Sequence, residues 1–179
     1  MVEPAPGPGA GRRTFADFPV GTQVDLGSFT LTAEEIVAFG TRYDPQPFHT
    51  DPEEAASGPF GGLIASGWQT GASVMRLYAD TMLAGADSRG SPGIENLRWL
   101  KPVRPGDVIT AVVKVVGARL SATSRGRGTL MLEWEARNGD GDLVLTMAAR
   151  GLFGTASDGG TASDGGTAPD GDAGISPPG

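Results

Sequence analysis

The sequence contains no cysteine and only one histidine in 179 residues. Without cysteine there are no disulfides, thiolate metal sites or cysteine nucleophiles, a composition that fits a reducing compartment. No apolar run approaches the roughly 18 residues that a membrane-spanning helix needs. The stretch up to Val24 also lacks an apolar run as long as the core of a signal peptide. We therefore expect a cytoplasmic protein without a membrane span.

Positive charge is also scarce. There are 14 Lys and Arg residues against 21 Asp and Glu residues, which gives a formal net charge of −7. Such a chain offers no broad basic face to phosphate backbones, so we expect no nucleic-acid partner. The length and a hydrophobic content of 39% predict one domain with a sizeable core.

Both ends of the chain have a composition that cannot form a core. Residues 1–13 are rich in Pro, Gly and Ala and predict a flexible leader. From Thr155 the chain reads Thr-Ala-Ser-Asp-Gly-Gly, and it repeats this segment from Thr161 and imperfectly from Thr167. The repeat has no apolar residue larger than alanine, so residues 155–179 predict a disordered tail. The folded domain should span residues 14–154.

Helix signals occupy the first half of this domain. Thr32 and Glu35 have the spacing of a capping box, and the helix that they open should end at Asp44, where Pro45 disfavours helical geometry. Its buried face should consist of Ile36, Val37, Phe39 and Tyr43.

Two further segments predict helices. Asp51 followed by Pro52 predicts the N-cap and first residue of a short helix. Residues 66–83 then predict a long, largely buried helix, because they lack proline and carry many apolar side chains: Trp68, Ala72, Met75, Leu77, Ala79 and Met82.

The second half of the domain predicts strands. Together with a strand over residues 20–30, the predicted strands cover residues 94–100, 108–116, 129–137 and 143–153. Asn138-Gly139-Asp140-Gly141 predicts a hairpin turn between the last two. This order indicates an α+β fold in which an antiparallel sheet wraps around a long central helix.

The segment Asp44-Pro45-Gln46-Pro47-Phe48-His49 carries the clearest chemical signal. Because a residue before proline avoids helical geometry, we expect the segment to be extended and stiff up to His49. A carboxylate and an imidazole held on such a loop can take and give a proton. By spacing alone a second interpretation stays open, in which Asp44 caps a helix and His49 occupies a surface loop.

Neighbouring segments favour the chemical interpretation. They are Tyr43-Asp44, Pro47-Phe48-His49, Ala55-Ala56, the run from Phe60 to Gly67, and the run from Glu95 to Asp107. Together they resemble the MaoC-like dehydratase family, which includes the (R)-specific enoyl-CoA hydratases. The similarity extends over about residues 20–153 and so covers nearly all of the foldable chain.

The resemblance implies a hot-dog fold and a homodimer with an acyl tunnel at the subunit interface. It also implies that Asp44 and His49 hold the water that adds across the double bond of an enoyl thioester. The backbone N–H of Gly67, at the start of the central helix, would polarise the thioester carbonyl. The implied substrate is an acyl-CoA or an acyl-carrier thioester, and no metal, nicotinamide or flavin cofactor is implied.

Two residues depart from the family pattern and leave the acyl group open. Gln46 stands where the hydratase motif has asparagine, so an orienting hydrogen bond must be made from a longer side chain. Trp68 stands where a smaller residue is usual. It either faces the tunnel and reshapes the acyl site or fills the core.

Five further residues complete the predicted substrate-binding set. Arg98, Lys101 and Arg104 either contact coenzyme A phosphates or are simply solvated. Tyr43 either lines the site or ends the helix face, and Ser66 precedes the predicted carbonyl-binding position.

Three alternative functions stay open at this point. A hot-dog thioesterase would use a carboxylate on the central helix, for which Asp80 is the candidate. A biosynthetic enzyme would use Asp44 and His49 for ring closure or dehydration of a carrier-bound intermediate. A non-catalytic subunit would bind acyl groups without turning them over.

Overall fold

The computed structural model describes residues 12–155, and these form an antiparallel sheet with helices on one side of it. The strands are β1 (Gln23–Phe29), β2 (Ile94–Trp99), β3 (Ile109–Leu120), β4 (Arg127–Arg137) and β5 (Leu143–Gly154). The helices are α1 (Ala33–Tyr43), α2 (Pro47–Thr50), α3 (Pro52–Ser57) and α4 (Gly67–Tyr78), and a π-helical turn (Ala79–Leu83) continues α4. The predicted α+β class is confirmed. Within the described range, no helix combines the length and the apolar character needed to span a membrane.

The sheet has the strand order β1-β3-β4-β5-β2, so β1 and β2 are its edges. Side chains alternate between the two faces of a strand, and the long strands bury every second residue. The buried apolar row of β3 and β4 consists of Ile109, Ala111, Val113, Val115, Leu130, Leu132, Trp134 and Ala136. The predicted hairpin turn joins β4 to β5, where the Asn138 side chain accepts hydrogen bonds from the backbone N–H groups of Asp140 and Asp142.

Helix α4 packs on the buried face of the sheet and closes the core. Val74 and Tyr78 are its buried apolar side chains, and the Tyr78 ring packs edge-on against Trp134 with the ring centroids 5.1 Å apart. Burial raises the pKa of the Tyr78 hydroxyl far above its ordinary value. The predicted long helix is therefore present, with Ser66 as its N-cap and a π-helical turn as its last part.

The predicted helix starts are confirmed. Thr32 Oγ1 accepts from the Glu35 N–H at 3.2 Å, and Glu35 Oε2 accepts from the Thr32 N–H at 2.8 Å, which completes the capping box of α1. Asp51 Oδ1 accepts from the N–H groups of Glu53 and Glu54 at the start of α3.

The expectation that the chain stays extended up to His49 was wrong. Gln46 is extended, as the residue before a proline should be, but Pro47 opens the short helix α2, which carries His49. Proline is well suited to the first position of a helix, where its fixed φ is helical and its missing N–H is not needed. The two prolines therefore set a sharp entry into a helix rather than a long extended loop.

The expectation that α4 is largely buried was also wrong, since only four of its residues are buried: Gln69, Thr70, Val74 and Tyr78. Trp68 is 60% exposed and Met75 is 45% exposed, whereas Gln69 and Thr70 are buried. This excludes Trp68 as a core residue of the single chain. The apolar stripe was predicted correctly as a helical pattern, but much of it lies on the face that the chain's own sheet does not cover.

Most of the predicted leader and tail lie outside the described residues. Arg13 and Thr155 are described, and both are held by hydrogen bonds. Arg13 Nη2 donates to the carbonyls of Thr81, Met82 and Ala84 at 2.8 to 2.9 Å, just where the π-helical turn ends. A guanidinium at a helical C-terminus satisfies carbonyls that have no intrahelical partner and opposes the helix dipole.

Replacing Arg13 by glutamine should lower the free energy of unfolding by about 2 kcal/mol, because charge-assisted hydrogen bonds to partly buried carbonyls are lost. The neighbouring Arg12→Gln variant is the matched control. Arg12 is mostly exposed and lies 3.9 Å from Asp87, a geometry that contributes little to stability. Urea denaturation of both variants measures the difference, and equal losses would show that Arg13 does not anchor the end of the helix.

Candidate active site

A cavity of about 480 Å³ opens between α2, the N-terminus of α4 and the segment that follows β2. The three positions predicted to be catalytic, Asp44, His49 and Gly67, all line it. Most of the remaining wall is apolar. A concave site with a few polar groups on an apolar wall is typical of small-molecule binding.

His49 is only 3% exposed, and a backbone hydrogen bond fixes its ring on the side away from Asp44. Nδ1 lies 2.8 Å from the backbone carbonyl oxygen of Ile64. A carbonyl oxygen can only accept, so Nδ1 carries a hydrogen, and Nε2 of the neutral ring presents a lone pair. Gly40 of α1 permits this placement, because a Cβ there would lie 2.7 Å from the His49 carbonyl oxygen.

Asp44 lies at the C-cap of α1 and accepts a hydrogen bond at each oxygen. The Ser66 hydroxyl donates to Oδ2 at 2.7 Å, and the Gln46 amide donates to Oδ1 at 2.7 Å. The Ser66 hydrogen bond lowers the pKa of the Asp44 carboxyl, helped by the Gln46 amide and the charge of His49, while partial burial opposes the shift. Gln46 thus makes an orienting hydrogen bond to Asp44, although its side chain is longer than the asparagine of the hydratase motif.

His49 Nε2 and Asp44 Oδ2 lie 3.2 Å apart. An ionised carboxylate and a bare Nε2 both offer lone pairs, so this contact is favourable only with a proton between them or with a donor molecule bound to both. The pair is therefore built to share or exchange a proton. This is the property that general acid–base chemistry needs.

Ser66 connects Asp44 to the start of the central helix. It is fully buried, and its hydroxyl donates to Asp44 while accepting from the Trp68 N–H at 3.2 Å as the N-cap of α4. Gly67 follows as the first helical residue. The first N–H groups of a helix lack intrahelical partners and lie at the positive end of its dipole. This edge of the cavity therefore stabilises an oxygen that carries negative charge.

Trp99 of β2 covers the other side of Gly67. Its indole Nε1 donates to the Gly67 carbonyl at 2.8 Å. A Cβ on Gly67 would lie 2.5 Å from the Trp99 ring, so glycine is required for this close approach. The start of α4 is thus fixed between Ser66 and Trp99.

Three of the residues predicted to bind substrate line the cavity. They are Gln46, Trp68 and Lys101, and the Lys101 ammonium forms an ion pair with Asp142 at 2.5 Å. Of the two placements left open for Trp68, the structure shows the one in the cavity wall.

Tyr43, Arg98 and Arg104 are not part of the cavity wall. Tyr43 is 61% exposed because it ends α1 on its outer side, where it packs on Phe39. Arg98 is exposed on the edge strand β2. Arg104 instead donates from Nη2 to the Phe60 carbonyl at 2.6 Å and so holds the loop that carries Phe60.

Sequence reasoning missed the aromatic part of the wall, which consists of Phe48, Phe60 and Trp99 besides Trp68. Phe48 adjoins His49, and its position in the motif was a usable signal. Phe60 and Trp99 come from distant segments, and nothing local indicates that they meet. The Ile64 carbonyl was missed for a different reason, since any residue type supplies one.

Asp80, the carboxylate considered for a thioesterase, lies outside the cavity. It follows α4 in the π-helical turn and forms an exposed ion pair with Arg76 at 2.6 Å. This partner raises the pKa of the Arg76 guanidinium. The residue has the environment of a surface charge.

Comparisons of the sequence with known proteins place it in one family. The family model described as "MaoC like domain" matches residues 16–133. The uncharacterized protein YdeM of Bacillus subtilis is 30% identical over 116 residues, which are 65% of this chain and 82% of that protein. The 3-hydroxyacyl-thioester dehydratase Z of Mycobacterium tuberculosis is 35% identical over 103 residues, which are 56% of this chain and 66% of that protein.

Solved structures agree with this assignment. A MaoC-like dehydratase from Rhodospirillum rubrum superposes with a TM-score of 0.72 at 31% identity, over 80% of this chain and 98% of that one. An (R)-hydratase from A. caviae involved in PHA biosynthesis gives a TM-score of 0.58 at 27% identity, over 75% of this chain and 96% of that one.

A third structure bears on the fold alone. It is a conserved hypothetical protein from Mycobacterium tuberculosis with a double hotdog fold, 17% identical with a TM-score of 0.71, and the match covers 84% of this chain and 47% of that one. The chain has the hot-dog fold, and it belongs to the MaoC-like domain family.

Proposed function

We propose that the protein adds water to, or removes water from, an α,β-unsaturated acyl thioester carried on coenzyme A or on a carrier protein. The observation that carries this proposal is the 3.2 Å approach of His49 Nε2 to Asp44 Oδ2 in the wall of a cavity that also contains the N-terminus of α4. The names of the similar dehydratase and of the similar (R)-hydratase support the same reaction class.

In the dehydration direction the chemistry begins at the carbon next to the thioester carbonyl. His49 Nε2 takes the proton from that carbon, and negative charge develops on the carbonyl oxygen. The Gly67 N–H and the positive end of the α4 dipole stabilise this charge. The carbon–oxygen bond at the β carbon then breaks, and the departing oxygen receives the proton and leaves as water. Hydration is the reverse sequence.

Asp44 remains a carboxylate in this scheme. Donors at both of its oxygens favour the charged form. The carboxylate stabilises the imidazolium that forms when His49 takes a proton, and it accepts a hydrogen bond from the reacting water or hydroxyl. His49 carries the proton on Nε2, because Nδ1 is hydrogen-bonded to the Ile64 carbonyl and only Nε2 faces Asp44.

The variants His49→Gln and Asp44→Asn should each lower kcat/KM for hydration of crotonyl-CoA by at least about 100-fold, the usual contribution of a general acid–base group. Asp80→Asn removes a carboxylate outside the cavity and should keep the wild-type rate. Release of free thiol, measured in parallel, separates hydration from thioester hydrolysis. Full activity of both active-site variants, or thiol release that depends on Asp80, would contradict the proposal.

The variant Ser66→Ala should raise the pKa of the Asp44 carboxyl, measured by NMR titration of 13C-labelled aspartate side chains. The Ser66 hydroxyl is the largest cause of the lowered pKa of Asp44, so its loss raises that pKa and the active carboxylate is protonated at a higher pH. Thr32→Ala is the control, because it also removes the side chain of a helix N-cap but makes no contact with Asp44. Loss of such a cap lowers the free energy of unfolding by about 1 kcal/mol. An Asp44 pKa that is unchanged in Ser66→Ala would contradict the role given to the Ser66 hydrogen bond.

We further propose that a second copy of the chain covers the β2–α4 face, which we define by the exposed apolar residues Trp68, Met75, Ile94, Trp99 and Leu100. Strand β2 is a sheet edge with unpaired backbone groups, and an exposed edge beside an apolar patch favours association. Pairing of β2 with its copy about a two-fold axis would bury this face on both subunits and close the cavity on its open side.

The protein should therefore sediment as a dimer at micromolar concentration, and Ile94→Glu should weaken the dimer at least about tenfold by placing a charge in an apolar interface. Val116→Glu is the matched control, since Val116 is similarly exposed on β3, away from this face. A monomeric wild type, or equal weakening by both variants, would contradict the proposed interface.

A further inference from the structure

The wall of the cavity is rich in aromatic rings. Phe48, Phe60, Trp68 and Trp99 line it, and these include two of the three tryptophans in the chain. The rings form two pairs in edge-to-face geometry, with centroids 5.0 Å apart for Phe48 and Phe60 and 5.3 Å apart for Trp68 and Trp99. Phe60 is 39% exposed, so much of its ring is free to contact a ligand.

The two pairs flank the reacting groups from different sides. Phe48 packs on the His49 ring with a centroid distance of 4.5 Å, and Phe60 packs on Phe48. Trp99 covers Gly67, and Trp68 packs on Trp99. In the proposed reaction the β carbon lies at Asp44 and His49, so the group attached to that carbon lies beside the Phe48–Phe60 pair.

The anchoring of Phe60 also indicates a fixed wall rather than a loose loop. Arg104 holds the backbone carbonyl of Phe60 and not its ring. This hydrogen bond holds the backbone of residue 60, and the Phe60 ring packs edge-on against Phe48 in the cavity wall. An aromatic ligand that packs against such a ring gains binding free energy beyond the contribution of its buried area.

We propose that the acyl group of the substrate carries an aromatic ring on its β carbon. This inference rests on the proposed function. In the dehydration direction the substrate is a 3-hydroxy-3-arylpropanoyl thioester, which loses the α proton and the β hydroxyl as water and becomes a 3-arylpropenoyl thioester. No oxidant or reductant takes part.

The test compares two inert ligands of nearly equal size, the pantetheine thioesters of 3-phenylpropanoic and 3-cyclohexylpropanoic acid. Pantetheine is common to coenzyme A and carrier proteins, and it contains no ring that could occupy the aromatic wall itself. Binding is followed by fluorescence, because Trp68 and Trp99 line the cavity. The phenyl ligand should bind about tenfold more tightly, although buried area alone favours the slightly larger cyclohexyl group.

The variant Phe60→Leu should bring the ratio of the two dissociation constants to about one, because leucine keeps an apolar wall without the ring. Phe39→Leu is the matched control, since Phe39 lies on α1 and packs on Tyr43 outside the cavity. Equal binding of the two ligands by the wild type, or a phenyl preference that survives in Phe60→Leu, would overturn the inference.

Turnover of 3-hydroxybutanoyl-pantetheine, measured on the same samples, separates this inference from the proposed function. Turnover without a phenyl preference supports the water chemistry and overturns the aromatic acyl group. A phenyl preference without turnover of either the butanoyl or the 3-hydroxy-3-phenylpropanoyl thioester supports an aromatic-binding cavity and overturns the proposed reaction.

Discussion

The contact between His49 Nε2 and Asp44 Oδ2 is held from both ends. On one side the Ile64 carbonyl accepts from His49 Nδ1, and on the other the Ser66 hydroxyl donates to Asp44. Each anchor sets a protonation state. The carbonyl keeps the hydrogen on His49 Nδ1, and the hydroxyl favours the ionised form of Asp44. The contact therefore contains two facing lone pairs and attracts a proton or a polar hydrogen. The chemistry proposed for this chain follows from that arrangement.

The fold supplies both anchors through ordinary packing. Ser66 is placed by its role as the N-cap of α4, and α4 is placed by Val74 and Tyr78 against the sheet. His49 is placed by α2, which can approach α1 only because residue 40 is glycine. Polar residues near the N-terminus of α4 are buried, and apolar residues on its other side are exposed. The helix thus turns its capped end toward the site and an apolar stripe toward the surface.

Much of this arrangement could be predicted from local signals in the sequence. The capping box at Thr32, the N-cap at Asp51 and the hairpin turn at Asn138 each depend on residues close together in the chain, and all appear as expected. The course of the chain after Pro47 was predicted wrongly because one proline is compatible both with an extended segment and with the start of a helix. The exposure of Trp68 and Met75 was predicted wrongly because periodicity identifies an apolar face but not what covers it. The meeting of Phe60 and Trp99 in one wall depends on long-range packing and leaves no local pattern.

The tautomer of His49 is the most direct measure of the central claim. The chain has one histidine, so a sample with 15N-labelled histidine gives a single pair of ring-nitrogen signals. The geometry predicts that neutral His49 is protonated at Nδ1 and bare at Nε2, and that the Nε2 signal changes in the Asp44→Asn variant while the Nδ1–H signal is retained. A neutral ring protonated at Nε2, or a rapid mixture of both tautomers, would contradict the account, because Nε2 would then not be free to take a proton beside Asp44.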